Sequence, residues 1–270
     1  MRPMPTQDGV RVPSGVDGSV PSAARIYDWL LGGSHNFEAD RRFGQQLLAQ
    51  HPYTRHMAML NRNFLRVAVE MMLEAGIRQF LDLGSGIPTV GNVHEIAHRH
   101  HPESRVLYVD NEAVAVAHTE ILLKDTENAT MVQSDACDVD AVLGDERTRE
   151  MLDLSQPLGL LAVTLFHYVA EESDPARVMA RYRDVLAPGS VLAMTHLFTD
   201  RATEEIVELM RRTQNNVFPR TREEIAGFFG DLDVEEPGLA PVSSWLAHQG
   251  IDVDQDAGAG RLLAGVARKR

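Results

Sequence analysis

The chain is poor in several features that mark particular classes of protein. It has one cysteine, Cys137, in 270 residues, which excludes an internal disulfide and a metal site built from several cysteines. No apolar run approaches the roughly 18 residues that a transmembrane helix needs, and the first residues lack the apolar core of a signal peptide. These absences predict a cytoplasmic protein without a membrane partner.

Basic residues are also scarce. The 26 Lys and Arg residues against 39 Asp and Glu residues give a formal net charge of -13. Because a nucleic-acid surface needs a basic footprint to neutralise phosphates, this balance argues against DNA or RNA as a partner. Hydrophobic residues make up 44% of the chain, which is enough to build a full core.

Composition and hydrophobic periodicity divide the chain into three parts. Residues 1–21 contain Pro, Gly and Ser without periodicity, which predicts a disordered leader. Residues 22–75 repeat apolar positions at helical spacing, which predicts a helical N-terminal cap. Between residues 76 and 270 short apolar runs alternate with helical patterns, and this alternation predicts one α/β domain with a mostly parallel sheet.

The predicted strands are short apolar runs. They cover residues 79–83, 105–109, 129–133, 158–164, 191–196, 232–236 and 261–268. Too few residues separate the last two strands for a crossover helix, so we expect these strands to form an antiparallel hairpin.

A glycine-containing turn follows the first predicted strand, where a nucleotide-like ligand binds an α/β sheet. The sequence there is Phe80-Leu81-Asp82-Leu83-Gly84-Ser85-Gly86. A dinucleotide needs a third glycine, where this chain has Thr89, and Asp82 would repel its pyrophosphate. S-adenosylmethionine has no phosphate and carries an ammonium group that an acid can hold. The turn therefore favours S-adenosylmethionine as the cofactor.

Acidic residues lie at the ends of three successive predicted strands. Asp82 and Asp110 come at the ends of the first and second strands, and Asp135 follows the third. Asp110, with Asn111 beside it, is placed to accept the ribose hydroxyls, and Asp135, with Ala136, is placed to accept from the adenine amino group. The alternative interpretation is that all three acids are ordinary turn residues.

These motifs resemble those of class I S-adenosylmethionine-dependent methyltransferases. From about residue 22 the chain resembles one family of S-adenosyl methyltransferases long filed as a domain of unknown function. The segments that carry the resemblance are 24–33, 36–37, 61–65, 80–86, 89–95, 109–111 and 186–190. The resemblance implies a doubly wound, Rossmann-like sheet of seven strands with the last strand antiparallel. It implies S-adenosylmethionine as the cofactor and names no acceptor.

The N-terminal segment 25–33 combines aromatic, acidic and double-glycine features, and we interpret it as a cap over the cofactor. Tyr27, Asp28 and Asn36 are candidate contacts of the ligand. The alternative is that the segment is an amphipathic helix that packs on the sheet, and this is the interpretation we prefer for Trp29.

Two histidines end predicted strands on the side where an acceptor would lie. His167 is the candidate general base, because an ordinary histidine pKa suits proton removal near neutral pH. His196 is interpreted as a structural histidine. Phe166 either flanks the adenosine or sulfonium group or packs in the core.

The segment from His94 to His98 matches the zinc-hydrolase pattern H-E-x-x-H. It lies on the helix directly after the glycine turn, whose face should pack on the sheet, and the extended motif's third histidine is replaced by Ser104. A zinc hydrolase is therefore a remote alternative, and no metal site is expected.

The sequence predicts an S-adenosylmethionine-dependent methyltransferase that acts on oxygen or nitrogen of a small-molecule acceptor. The predicted cofactor contacts are Tyr27, Asp28, Asn36, Asp82, Gly84, Ser85, Gly86, Thr89, Asp110, Asn111, Asp135, Ala136 and Phe166. The alternative is a module that binds or senses S-adenosylmethionine without turnover. The acceptor and the oligomeric state stay open.

Overall fold

A computed structural model describes residues 6–7, 10–11, 16–89, 91–253 and 261–270. The remainder of the predicted leader, together with residue 90, lies outside the described residues. No helix in the described ranges is both long and apolar enough to cross a membrane.

The strands and helices follow in chain order. The strands are β1 (Thr6–Gln7), β2 (Val10–Arg11), β3 (Gln79–Leu83), β4 (Arg105–Asp110), β5 (Ala129–Gln133), β6 (Gly159–Val163), β7 (Val191–Leu197), β8 (Asp233–Val234), β9 (Ala240–Pro241) and β10 (Leu262–Arg268). The helices are α1 (Ala23–Leu30), α2 (Glu38–Gln50), α3 (Thr54–Glu74), α4 (Val93–His100), α5 (Ala113–Leu122), α6 (Val139–Gly144), α7 (Glu146–Met151), α8 (Pro175–Asp184), α9 (Arg201–Met210), α10 (Arg222–Gly227) and α11 (Val242–His248). Two 3-10 turns lie at Phe166–Tyr168 and Glu171–Ser173.

The central sheet has the strand order β5-β4-β3-β6-β7-β10-β8, and β9 also pairs with β10. Strands β3 to β7 pair in parallel, and β10 runs antiparallel to β7. From β3 the chain moves outward through β4 and β5, then returns to place β6 on the other side of β3. The point where the strand order reverses therefore lies between β3 and β6, which is where ligands bind in open α/β sheets.

The two faces of the sheet are both buried, which explains why its strands are apolar throughout. Phe80 of β3 and Val106 of β4 pack into one core with α3, while Leu81 and Leu107 pack into a second core with α8. This alternation confirms the doubly wound α/β architecture.

Within the described ranges the sheet has eight strands, so the expected number of seven is wrong. The predicted run 232–236 is a short strand, β8, and a further strand, β9, pairs with the other end of β10. Helix α11 lies in the connection where a simple hairpin was expected, although the predicted antiparallel pairing is correct. Trp245 stabilises this helix because it is fully buried, with its ring 4.7 Å from that of Phe64.

The predicted cap consists of α1, α2 and α3, and its boundary at residue 75 stays a prediction. A buried guanidinium, that of Arg25 in α1, joins it to the sheet domain. Its Nε lies 2.8 Å from Asp40 of α2, its Nη1 lies 2.9 Å from Glu112 before α5, and its Nη2 donates to the Val20 carbonyl at 2.6 Å. Because Arg25 and Asp40 are both fully buried, neither charge has a solvent alternative.

The Arg25→Met variant should lose about 3–5 kcal/mol of unfolding free energy, because it leaves the Asp40 carboxylate buried without its partner. Chemical denaturation of the two proteins measures the difference. Arg42→Met is the matched control, since Arg42 pairs with Glu38 on the exposed face of α2 and its loss should cost less than about 1 kcal/mol. Equal losses in the two variants would contradict a special role for the buried pair.

Candidate functional site

A cleft of about 340 Å³ lies at the carboxyl ends of the parallel strands, beside the reversal point between β3 and β6. Most of the predicted contact residues line it, namely Tyr27, Asp82, Gly84, Ser85, Gly86, Thr89, Asp110, Asn111, Asp135 and Ala136. The structure thus brings the glycine turn, the three strand-end acids and one residue of the cap to a single site.

The glycine turn has two residues in the left-handed region, Gly84 at φ +66° and Gly86 at φ +67°. A side chain at Gly84 would also collide with Leu165, 2.5 Å from where a Cβ would stand, whereas Gly86 faces open space. Gly86 therefore leaves room for a ligand to approach the backbone. Between them, Ser85 has a buried hydroxyl without a hydrogen-bond partner among the described residues.

The Asp110 carboxylate holds the glycine turn in place. One oxygen accepts from the backbone N–H of Gly86 at 2.7 Å, and the other accepts from that of Glu112 at 2.8 Å. Burial raises the pKa of Asp110 to about 6, although these two hydrogen bonds act in the opposite direction. Each oxygen keeps a further lone pair that a ligand hydroxyl can use.

Asp82, at the end of β3, is buried at the base of the cleft. Burial raises the pKa of its carboxyl to about 7, while the nearby charge of Arg62 lowers it and that of Asp110 raises it. No hydrogen bond between residues that the structure describes reaches this carboxylate. Asp82 is thus an acid whose ionised form a cationic ligand would stabilise.

Arg62 also lines the cleft, and sequence reasoning assigned it no role. It lies on α3, and its Nη2 donates to the Gly91 carbonyl at 2.8 Å. The available signal was its place in the 61–65 motif, in which it is the charged residue.

Asp28 and Asn36 lie outside the cleft, so their prediction as cofactor contacts is not supported. The Asp28 carboxylate accepts from Asn36 Nδ2 at 2.7 Å and from the backbone N–H of His35 at 2.9 Å. A side chain at Gly33 would overlap this carboxylate. The three residues close the turn after α1, and the double-glycine motif therefore has a structural explanation here.

Phe166 and His196 are both buried and do not line the cleft. Phe166 is fully buried, with its ring 5.4 Å from that of Phe228, so it packs in the core and does not flank the cleft. The Nε2 atom of His196 lies 3.1 Å from the Arg220 guanidinium, and burial lowers the pKa of His196 to about 4. These contacts agree with the structural interpretation of His196.

A second cavity, which we call the chamber, adjoins the cleft and has a volume of about 80 Å³. It shares Ala23, Tyr27, Asn61, Thr164 and Tyr168 with the cleft. We call these five residues the junction.

His167, the predicted base, lines the chamber and not the cleft. Its Nδ1 accepts from the backbone N–H of Leu197 at 3.4 Å, and burial holds its pKa well below the ordinary value. This contact uses the Nδ1 lone pair, which favours the neutral tautomer with its proton on Nε2. The role of His167 as general base stays a prediction.

A hydrogen-bond network organises the junction, and sequence reasoning missed most of it. Asn61 donates to the Tyr27 hydroxyl at 2.9 Å and accepts from the Thr195 hydroxyl at 2.8 Å, which in turn accepts from the backbone N–H of Thr164. Thr164 has φ +54°, a strained conformation for a β-branched residue that is typical of functional sites. These residues come from α1, α3, β7 and the position directly after β6, so no short motif contains them.

The H-E-x-x-H segment serves the fold. The Nδ1 atom of His94 lies 2.7 Å from the Tyr108 hydroxyl, Glu95 accepts from the backbone N–H of Asn92 at 2.9 Å, and the Nε2 of His98 lies 2.8 Å from the Ser104 carbonyl. In the described ranges no group of three or more metal-binding side chains comes together. The geometry thus gives the zinc-hydrolase alternative no support.

Comparisons with known proteins identify the family of the chain. A family model described as S-adenosyl methyltransferase matches residues 10–270. This chain belongs to the S-adenosyl methyltransferase family. The methyltransferase is 38% identical to a candidate methyltransferase of Thermobifida fusca, with a TM-score of 0.89 over 96% of this chain and 98% of that one. It is 31% identical to a DUF574 family protein of Streptomyces avermitilis, with a TM-score of 0.86 over 94% and 99% of the two chains.

No curated protein matches the methyltransferase. The family match nevertheless confirms the enzyme class and S-adenosylmethionine as the cofactor.

Asp82 should make the stability of the unliganded methyltransferase depend on pH. Because its pKa is raised from 3.8 to about 7, its contribution to stability falls as the pH rises through this range. Asp82→Asn cannot ionise, so it should gain stability relative to the parent between pH 5 and 8, by up to about 1.4 kcal/mol per unit of pKa shift. Urea denaturation at the two pH values measures this difference.

Asp140→Asn is the control, because the Asp140 carboxylate is exposed on α6. Its effect on stability should be the same at both pH values. If the stability of Asp82→Asn relative to the parent also does not change with pH, the pKa of Asp82 is not raised as its burial indicates.

Proposed function

We propose that this methyltransferase transfers the methyl group of S-adenosylmethionine to an oxygen or nitrogen atom of a small-molecule acceptor. The observation that carries the proposal is the junction, where an acid-lined cleft meets an apolar chamber. A cationic cofactor and a separate small acceptor would meet at this point.

The side chains around Asp82 fit the amino-acid end of the cofactor. A ligand ammonium beside Asp82 would offset the cost of burying this carboxylate, because an opposite charge favours the ionised form. Arg62, at the same end of the cleft, provides the complementary charge for a ligand carboxylate. The unpartnered hydroxyl of Ser85 offers a further hydrogen bond.

The residues at the ends of β4 and β5 fit the nucleoside end of the cofactor. The Asp110 carboxylate would accept the ribose hydroxyls with the lone pairs that Gly86 and Glu112 leave. Asp135 and Ala136 line the cleft beyond it, where an adenine amino group could reach the Asp135 carboxylate.

When bound, the cofactor supplies a methyl group on a cationic sulfur. That methyl group would go to a lone pair of the acceptor, with the carbon–sulfur electron pair left on sulfur and the acceptor's proton released. The residues of this chain have to place the acceptor atom in line and keep water away from the reacting carbon. The rigid network around Asn61 and Thr164 supports that positioning task.

Two ligands separate the roles of Asp82 and Asp110. S-adenosylhomocysteine has both the amino-acid and the nucleoside end, whereas 5′-methylthioadenosine has only the nucleoside end. Asp82→Asn should weaken S-adenosylhomocysteine about 10- to 100-fold, the effect of losing one charged hydrogen bond, and leave 5′-methylthioadenosine within about twofold. Asp110→Ala should weaken both ligands. Isothermal titration calorimetry measures the affinities of both ligands for the parent and for the two variants.

Asp135→Asn on the same ligands is a further comparison, and it should weaken both through the adenine end. An Asp82→Asn protein that binds S-adenosylhomocysteine as tightly as the parent would overturn the ammonium assignment. An Asp110→Ala protein with unchanged affinities would overturn the ribose assignment.

The size of the acceptor can be tested with cofactor labelled in its methyl group. After incubation with a cell extract, the label should appear in products that pass a small-molecule filter, as measured by mass spectrometry. Label retained with protein or nucleic acid would contradict the small-molecule assignment. The Asp82→Asn protein, assayed in parallel, controls for methylation by other enzymes of the extract.

A further inference from the structure

We propose that the chamber binds the methyl acceptor, and that this acceptor is a compact, uncharged and mainly apolar molecule of about one ring. It would present a single hydroxyl or amino group at the junction. This inference rests on the proposed function and names the substrate class of the same site.

The chamber is a mainly apolar cavity built from distant parts of the chain. Its walls come from the cap helices and from α9 and β10, and include Leu30, Leu47, Ala58, Ile206, Met210 and Leu262. Apolar walls exclude water and favour an apolar occupant.

The size of the chamber limits that occupant. An apolar protein cavity of about 150 Å³ holds a benzene molecule. The chamber, at about 80 Å³, has about half that volume, so a single ring would extend from the chamber into the junction, where the chamber meets the cleft. A nucleotide or a peptide would exceed it.

The charge of the lining restricts the acceptor further. Within the described part of the chain, no Asp, Glu, Lys or Arg side chain lines the chamber. His167, on the wall, is held neutral by its burial. A phosphate or carboxylate would enter without a partner, and burying such a charge costs far more than apolar contacts return.

The junction has few polar groups left for the acceptor. The hydroxyl of Tyr27 and the amide of Asn61 already bond to each other and to the protein, and the Thr164 hydroxyl donates to the Val163 carbonyl. Tyr168 lines both cavities, and its hydroxyl has no hydrogen bond to any residue that the structure describes. One free hydroxyl at the cofactor side of an apolar chamber matches an acceptor with one polar group.

Matched fluorinated probes test this inference without catalysis. 4-Fluorophenol has one ring and one hydroxyl, and 4-fluorobenzoate has the same ring with a carboxylate. Fluorine NMR titration is made with the full chain saturated with S-adenosylhomocysteine. We expect 4-fluorophenol to bind and 4-fluorobenzoate to bind at least about tenfold more weakly.

Two variants locate the bound probe. Ala58→Leu adds volume on α3 and Ile206→Phe adds it on α9, and both residues line the chamber. Each should weaken 4-fluorophenol at least about tenfold while S-adenosylhomocysteine affinity stays within about twofold, which also shows that the variant is folded. Ala75→Leu makes the same substitution at the exposed end of α3 and should change neither affinity.

The outcomes separate the two proposals. Failure of 4-fluorophenol to bind the loaded protein, equal binding of the two probes, or unchanged binding in both chamber variants would overturn the acceptor assignment. If S-adenosylhomocysteine itself does not bind, the proposed function fails instead.

Discussion

The arrangement of the site depends on one connected set of buried charges. The Asp110 carboxylate holds the backbone of Gly86 and Glu112, and the Glu112 side chain pairs with Arg25, which in turn pairs with Asp40. This set runs from the glycine turn at the sheet to the second helix of the cap. Because removing one member of such a set leaves an uncompensated charge, the cap has one favourable position over the strand ends. That position creates both cavities.

The two cavities differ in their electrostatics, and the difference follows from where they lie. The cleft lies where parallel strands end, so loop backbone and strand-end acids line it, and Asp82 and Asp110 are buried there at a cost that raises both pKa values. The chamber lies between helix faces, which are apolar because they pack on the sheet. A cationic ligand suits the first environment and an uncharged one suits the second.

Sequence reasoning succeeded where the chemistry is local. The glycine turn and the acids at three strand ends lie within short segments whose geometry follows from parallel strands, and the structure places them in one cleft. It was incomplete where a side chain is oriented by contacts that a short motif does not show. Asp28 and Asn36 carry polar groups that the turn after α1 consumes, and Phe166 is buried against Phe228, over 60 residues later in the chain. Helix α11 was missed for a similar reason, because burial of Trp245 against Phe64 stabilises so short a helix.

By itself the sequence determined the α/β class, the glycine turn and the acids that suit S-adenosylmethionine, because periodicity and strand-end position are properties of neighbouring residues. Only the tertiary structure decided that there is a chamber and that His167 faces it. It also decided that Asn61, Thr164 and Tyr168 meet at its mouth. Those residues lie about 100 positions apart and their side chains are oriented by hydrogen bonds and packing between α3, β6 and β7. Contacts of that kind depend on the folded arrangement of the whole chain.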